Sequence, residues 1–230
     1  LLNMRNRKTP AAANNMLRVM RNLMGFAVAR KWRPDDPTQG IKRLRYRSEG
    51  FHSWTEDEIA RFEAKWPVGT RERLAFDLLL YTGQRSGDVR RMTAGQVGGG
   101  FISVRQEKTD EQLEIPIHSA LQTSLDACKS GHLLLLPTQY GQGFTAKGFG
   151  NWFSASAREA GLTGCSAHGL RKSAARRLAE AGATIHQIMS ITGHRSLKEV
   201  ERYTRAADQR TNAKAAMAKV DGPKGDRKRV

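Results

Sequence analysis

The chain has 230 residues, 39% of them hydrophobic, enough for one substantial domain and a smaller one around an ordinary core. Lysine and arginine number 39 against 22 acidic residues, a formal charge of +17 that suits a partner made of phosphates. Cys128 and Cys165 lack C-x-x-C spacing, no run approaches a membrane span, and the start LLNMRNRKTP has no apolar signal core, so disulfide, zinc, membrane and secretory readings find no support and a reduced cytoplasm is expected.

An opening Leu1 in place of Met suggests a piece of something longer. From Ala11 to Arg30, Met16, Val19, Met20, Leu23, Met24 and Ala27 recur at helical spacing, which predicts an amphipathic helix whose methionines fill a core. Trp32 to Gly50 holds Pro34, Pro37 and Gly40 beside the cations Lys42, Arg43, Arg45 and Arg47, a linker able to lie along a DNA backbone. Thr55-Glu-Asp-Glu58 is a capping box, with Trp54 placed to staple onto Ile59, so a new domain starts near Phe51. Arg71 to Thr82 predicts a strongly apolar, buried helix that stops at Gly83.

Arg85 then falls at a helix junction with Asp88 three residues on. Phe101 to Lys108 alternates, with Ile102, Val104, Gln106 and Lys108 on one face; Leu113, Ile115 and Ile117 form a second strand, and Thr109 to Gln112 turn the hairpin. Lys108 stands at its lip. Ser119 to Lys129 and Thr145 to Gly161 read as further helices, with Trp152 and Phe153 as core, and His52, His118, His132 and His186 show no partner pattern.

The stretch Ala167 to Tyr203 is the richest in chemistry. His168 and Arg171, three apart, share one face of a helix's first turn. A helix from Thr184 to Ile191 stops at Gly193, His194 sits in the following turn, and Ser196 caps a helix that Tyr203 ends. Tyrosine, with a reference pKa of about 10, is a poor nucleophile without a base or a cationic cluster. Histidine and arginine supply both, as a phosphodiester's transition state requires. Metal binding is the competing use of two histidines, but no Cys, Asp or Glu stands at ligand spacing, and Arg171 would repel a cation. Ala174 to Ile191 also has the pattern of a helix-turn-helix, with Gly182 at the turn and Thr184 as cap. Arg205 to Val220 predicts a last alanine-rich helix, and residues 221–230 a basic tail with little to bury.

Taken together, Thr82-Gly-Gln-Arg85-Ser-Gly-Asp88, His168-Gly-Leu-Arg171, Thr192-Gly-His194 and Glu201-Arg-Tyr203 resemble the boxes of the tyrosine recombinases, the phage-integrase family, over roughly residues 50–210. Gln84 takes a position that is usually apolar, an exchange expected to bear on packing more than on chemistry. The resemblance implies a mainly α fold with a small antiparallel β-sheet. It makes residues 1–48 the C-terminal remnant of a helical core-binding domain plus its basic linker, 49–220 the catalytic domain and 221–230 a tail. It also implies site-specific cleavage and rejoining of DNA through a 3′-phosphotyrosine. Tyr203 would be the nucleophile, Arg85 and Arg171 the clamps on the phosphate, His168 the base, His194 a donor and Lys108 the acid at the leaving oxygen. Lys108 is matched because Ile115-Pro116-Ile117 continues the family's lysine hairpin. Asp88 would steady the cluster without reacting. No cofactor or metal is implied; the partners are double-stranded DNA and further copies of the chain, as a dimer or tetramer on DNA. The setting would be the cytoplasm of a bacterium, encoded by it, by a phage or by a mobile element. The rivals are a non-enzymatic helix-turn-helix DNA binder and a type IB-like topoisomerase.

Overall fold

The structure is a computed structural model that describes residues 9–46, 50–128 and 131–220; Arg47, Lys129 and the expected tail 221–230 lie outside the described residues. The chain divides into two compact units, one ending at Gly50 and one beginning at Phe51.

The first unit is one helix and the strap after it. Helix α1 (Pro10–Ala29) starts at a proline, where the missing N–H costs nothing, and Thr9 accepts from the Ala12 amide. Ile41 to Tyr46 has no regular structure. Its backbone is tied to α1 by Asn14, whose amide both donates to the Leu44 carbonyl and accepts from the Leu44 N–H at 2.8 Å, and by Arg21 Nη2 donating to the Ile41 carbonyl at 2.5 Å. Lys42, Arg43 and Arg45 lie exposed along it.

The second unit opens with α2 (Glu56–Lys65), where the Thr55/Glu58 capping box forms as its sequence predicts. Helix α3 (Arg71–Thr82) ends at Gly83, which adopts φ +61°, a left-handed cap that a side chain would strain. Its residues from Leu74 to Leu80 are buried all round, which explains why it lacks a polar face. Trp54, Phe62, Phe76, Phe149 and Phe153 fill the core around it, with Phe62 and Phe76 stacked at 4.7 Å.

After the short α4 (Ser86–Val89), the strands β1 (Val97–Gly98), β2 (Phe101–Arg105) and β3 (Gln112–Pro116) make an antiparallel sheet in that order. Strand β1 is two residues long and runs into Gly98, Gly99 and Gly100, too little for a periodic signal in the sequence. The predicted first strand also runs too far. β2 ends at Arg105, paired with Gln112, because the Gln106 N–H turns to the Glu111 carbonyl and Asp110, at φ +57°, reverses the chain. Lys108 therefore lies inside the reversal and is exposed.

Helices α5 (Ser119–Ala127) and α6 (Ala146–Glu159) complete the main core, with Phe153 buried and Trp152 packed beside it. Three helices follow: α7 (Ala167–Glu180), α8 (Ile185–Thr192) and α9 (Leu197–Val220). Helix α7 packs on α3 and on α9, and Ala175, Ala179, Ile188 and Val200 form a second core against which Tyr203 is half-buried. The expected break at Tyr203 is absent. No glycine or proline stands between Glu201 and Val220, so α9 runs on as one helix and Tyr203 projects from its interior.

Candidate active site

The site is built on the first turn of α7. Ser166 caps it by accepting from the Gly169 amide at 3.2 Å, and Trp54 Nε1 donates to the Ser166 carbonyl at 3.0 Å. A Cβ on Gly169 would meet the His52 carbonyl oxygen at 2.2 Å, so only glycine lets the turn lie against residues 52–54. The turn then delivers His168 and Arg171. His168 is exposed, its ring 4.5 Å from that of Phe51. Arg171 is 4% exposed; its Nη1 donates to the Gly83 carbonyl at 2.6 Å, while Nη2 is buried with no partner among the described residues. Burial, and then the nearby charge of Arg85, pull the Arg171 pKa down to about 10. The guanidinium remains charged at neutral pH, with an unspent donor held out of water.

Arg85 sits just past the Gly83 cap, at the N-terminus of α4. Its Nη1 donates to Gln106 Oε1 at 2.7 Å. Asp88, buried on α4, accepts from the Glu107 backbone N–H at 3.0 Å and has Arg91 Nη2 at 3.6 Å. The carboxylate thus anchors the reversal beside Lys108. The far side of that reversal is gripped by Arg195, which pairs with Glu111 at 2.7 Å and donates to the Thr109 carbonyl.

His194 follows Gly193, the left-handed cap of α8. Its Nδ1 lies 2.6 Å from Thr192 Oγ1, which is also 2.7 Å from the Ile188 carbonyl. A hydroxyl has one proton to give. If it goes to Ile188, His194 must carry its proton on Nδ1; if it turns to Nδ1, the proton sits on Nε2, free for a phosphate oxygen. Burial, and then Arg171, Arg85 and His168, bring the His194 pKa down to about 4, so the ring is neutral at pH 7. His168, exposed as a residue but with its ring partly desolvated by its packed neighbours, is pulled below its ordinary value by that desolvation and then by Arg171, Lys172, Arg85 and Lys108, which favours the neutral form a base needs. The Tyr203 ring centroid lies 6.5 Å from that of His194. Burial raises the Tyr203 pKa, opposed chiefly by the charge of Arg171.

Arg85, His168, Arg171 and His194 thus lie within reach of one another's charge, Lys108 within that of His168, and Tyr203 beside His194 and within the charge of Arg171. Lys42, Arg43 and Arg45 belong to the first unit, and Arg47 lies outside the described residues. Among the described residues, the group with metal-ligand atoms in reach of one another is His52, Glu58 and Cys165, all within 4.8 Å. It is already occupied by protons: Glu58 Oε2 takes His52 Nε2 at 2.7 Å and the Thr55 N–H at 2.8 Å, and burial pushes the Cys165 thiol up to about 12.

Gln84, Gln106 and Thr192 touch this machinery directly, though sequence spacing gives them no role. One signal was present: Gln106 continues the core-facing register of Ile102 and Val104, where a polar side chain needs partners. The helix-turn-helix pattern is also real locally, since Thr184 caps α8 and Gly182 turns at φ +85°, but the facing residues Ala175, Ala179 and Ile188 are buried with Val200 and Tyr203.

The Phage integrase family matches residues 54–210. Tyrosine recombinase XerC of Mycobacterium bovis (strain BCG / Pasteur 1173P2) is 29% identical over 159 residues, covering 64% of this chain and 53% of the relative. The chain thus spans about half the length of the curated relatives it matches. The fold is similar to that of a lambda integrase(75-356) dimer bound to a COC' core site, with a TM-score of 0.73 at 22% identity, covering 85% of this chain and 73% of that one. It is equally similar to a lambda integrase tetramer bound to a Holliday junction, with a TM-score of 0.73 at 23% identity, covering 85% and 62%.

Proposed function

Since this chain belongs to the phage integrase family, we propose that it is a site-specific DNA recombinase that cuts and rejoins strands through a 3′-phosphotyrosine. Tyr203 Oη attacks the scissile phosphorus and its proton passes to His168. The bond from phosphorus to the 5′-oxygen breaks, and Lys108 gives that oxygen a proton. The 5′-hydroxyl of a partner strand then reverses the step on the phosphotyrosine. Each cut is matched by a new ester, so the chemistry needs neither nucleotide nor metal.

The observation that carries this reading is Arg171 Nη2, a guanidinium nitrogen buried without a partner among the described residues, on a side chain within reach of the charges of Arg85, Asp88, Glu199 and Tyr203 and itself felt by His168 and His194. A buried donor left open is costly unless a ligand fills it, and a phosphate oxygen is the acceptor that paired guanidinium groups attract. Arg85 and Arg171 clamp the non-bridging oxygens as charge builds, with His194 Nε2 as a further donor once Thr192 Oγ1 turns its proton to Nδ1. Asp88 keeps the lysine turn in place and takes no part in the chemistry.

The same reading gives double-stranded DNA as the partner. It makes the first unit the end of a core-binding domain whose strap tracks the backbone, and gives assembly on DNA as a dimer or tetramer, the forms in which lambda integrase is seen on its core site and on a Holliday junction. The protein would work in the cytoplasm, where its DNA is; among the described residues no helix is long and apolar enough to cross a membrane. Incubation with a nicked duplex, whose cut fragment diffuses away, tests the reading: a denaturation-resistant protein–DNA adduct is expected, and its absence at any tested site of a cognate element counts against it.

A further inference from the structure

Gln106 is fully buried, although the reversal that follows it is exposed. Its Nε2 donates to Gln84 Oε1 at 2.6 Å and to the Thr192 carbonyl at 2.8 Å, and its Oε1 accepts from Arg85 Nη1 at 2.7 Å and Thr109 Oγ1 at 2.5 Å. That uses both N–H groups and both lone pairs of the amide. The orientation is forced, since a guanidinium can only donate and a backbone carbonyl can only accept. Gln84, also fully buried, is fixed by the same logic, because its Nε2 donates to the Thr82 carbonyl at 3.0 Å and the Ile191 carbonyl at 2.8 Å. Its oxygen must then face Gln106. The two amides form a one-way relay from backbone carbonyls to Arg85.

The relay joins three pieces of the site. Its acceptor end holds Arg85, its Thr109 contact lies next to Lys108, and its Thr192 contact lies two residues before His194. Gly193 leaves it room: a Cβ there would meet Gln106 Nε2 at 2.3 Å.

Resting on the recombinase reading above, we propose that Gln106, oriented by Gln84, is a positioning residue for DNA cleavage that sets the Arg85 guanidinium and locks the lysine hairpin to the His194 turn. A role in packing alone would tolerate two apolar side chains at a cost in stability only: the pair removes the Gln84–Gln106 bond from both ends but leaves the Thr82, Ile191 and Thr192 carbonyls, Arg85 Nη1 and Thr109 Oγ1 without these amide partners, so melting falls while the folded protein keeps its rate. Positioning is not met that way, since Arg85 loses its acceptor.

The experiment compares single-turnover cleavage of a nicked suicide duplex, at saturating DNA, for wild type, for the Gln84→Leu/Gln106→Leu pair, and for each with Arg85→Ala added. Melting temperature and DNA affinity are measured alongside. The expected result is a Leu pair that melts below wild type, binds DNA like it and, at equal fraction folded, cleaves about a hundredfold more slowly, the scale of an ångström's misplacement. Adding Arg85→Ala to that pair should cost little more. Cleavage within a few fold of wild type, or a full further loss on adding Arg85→Ala, overturns the proposal. Gln106→Glu and Gln106→Met supply a second comparison that survives misfolding of the pair. Both lose the donor to Thr192, but Glu keeps an acceptor for Arg85, so it should cleave at least tenfold faster than Met at equal fraction folded; equal rates overturn the assignment. If wild type itself forms no adduct, the recombinase reading fails and takes this with it, whereas a normal wild-type adduct with unaffected variants sinks the relay alone.

Discussion

Arg171 Nη1 donates to the carbonyl of Gly83 at 2.6 Å, two residues before Arg85, so one guanidinium both pins the α3 cap and carries the open Nη2. A lysine in its place has a single nitrogen that cannot occupy both positions of the fork. Arg171→Lys should therefore fold and bind DNA yet cleave slower by roughly a hundredfold, the scale of one lost preorganised donor. Single-turnover rates on a suicide duplex check this, and a loss of only a few fold would mean that a point charge suffices.

Lys108 is best tested through the leaving group. Lys108→Ala should be slow on an ordinary phosphodiester and recover on a 5′-bridging phosphorothiolate, whose thiolate departs without an acid. Equal defects on both substrates would move the acid's role to another residue.

His194 makes a claim about stability and pH. Its folded pKa, about 4, lies below the ordinary value of 6.5, so the unfolded chain binds the extra proton first. Its contribution is complete above about pH 6.5 and is lost as the pH falls from there toward 4. Wild type should lose more melting temperature over that window than His194→Gln; parallel curves would show that the ring is not held neutral.

The strap makes a different kind of contact. Replacing exposed Arg43 and Arg45 by alanine should weaken binding about equally for all duplexes and lower the salt slope by about two, one per phosphate contact. An unchanged slope would take the strap off the DNA.

Local rules made much of this fold legible. The Thr55/Glu58 box, the Gly83 and Gly193 stops and the Thr184 cap each follow from a few adjacent residues. The end of β2 did not, because Gln106 reads as one more strand residue until its partners Gln84 and Thr192, 22 and 86 positions away, are known. Tyr203 misled in the opposite way: a motif's end is not a helix's end, and nothing in α9 stops it there. Of the site, spacing brought His168 to Arg171, while the placing of Arg85, Lys108 and His194 depends on α3 and α8 packing on α7 and on the hairpin packing on α8 through β3. Gln84 looked like a packing change, since its use of the Ile191 carbonyl spans 107 positions.

The central claim is that Tyr203 becomes esterified to DNA. Trapping the adduct on a nicked duplex, digesting with nuclease and protease, and sequencing the modified peptide by mass spectrometry measures it directly. The account predicts a nucleotide mass on the peptide containing Tyr203, and no adduct from Tyr203→Phe despite DNA binding near that of wild type. A nucleotide on any other residue, or an adduct that persists in Tyr203→Phe, would contradict it.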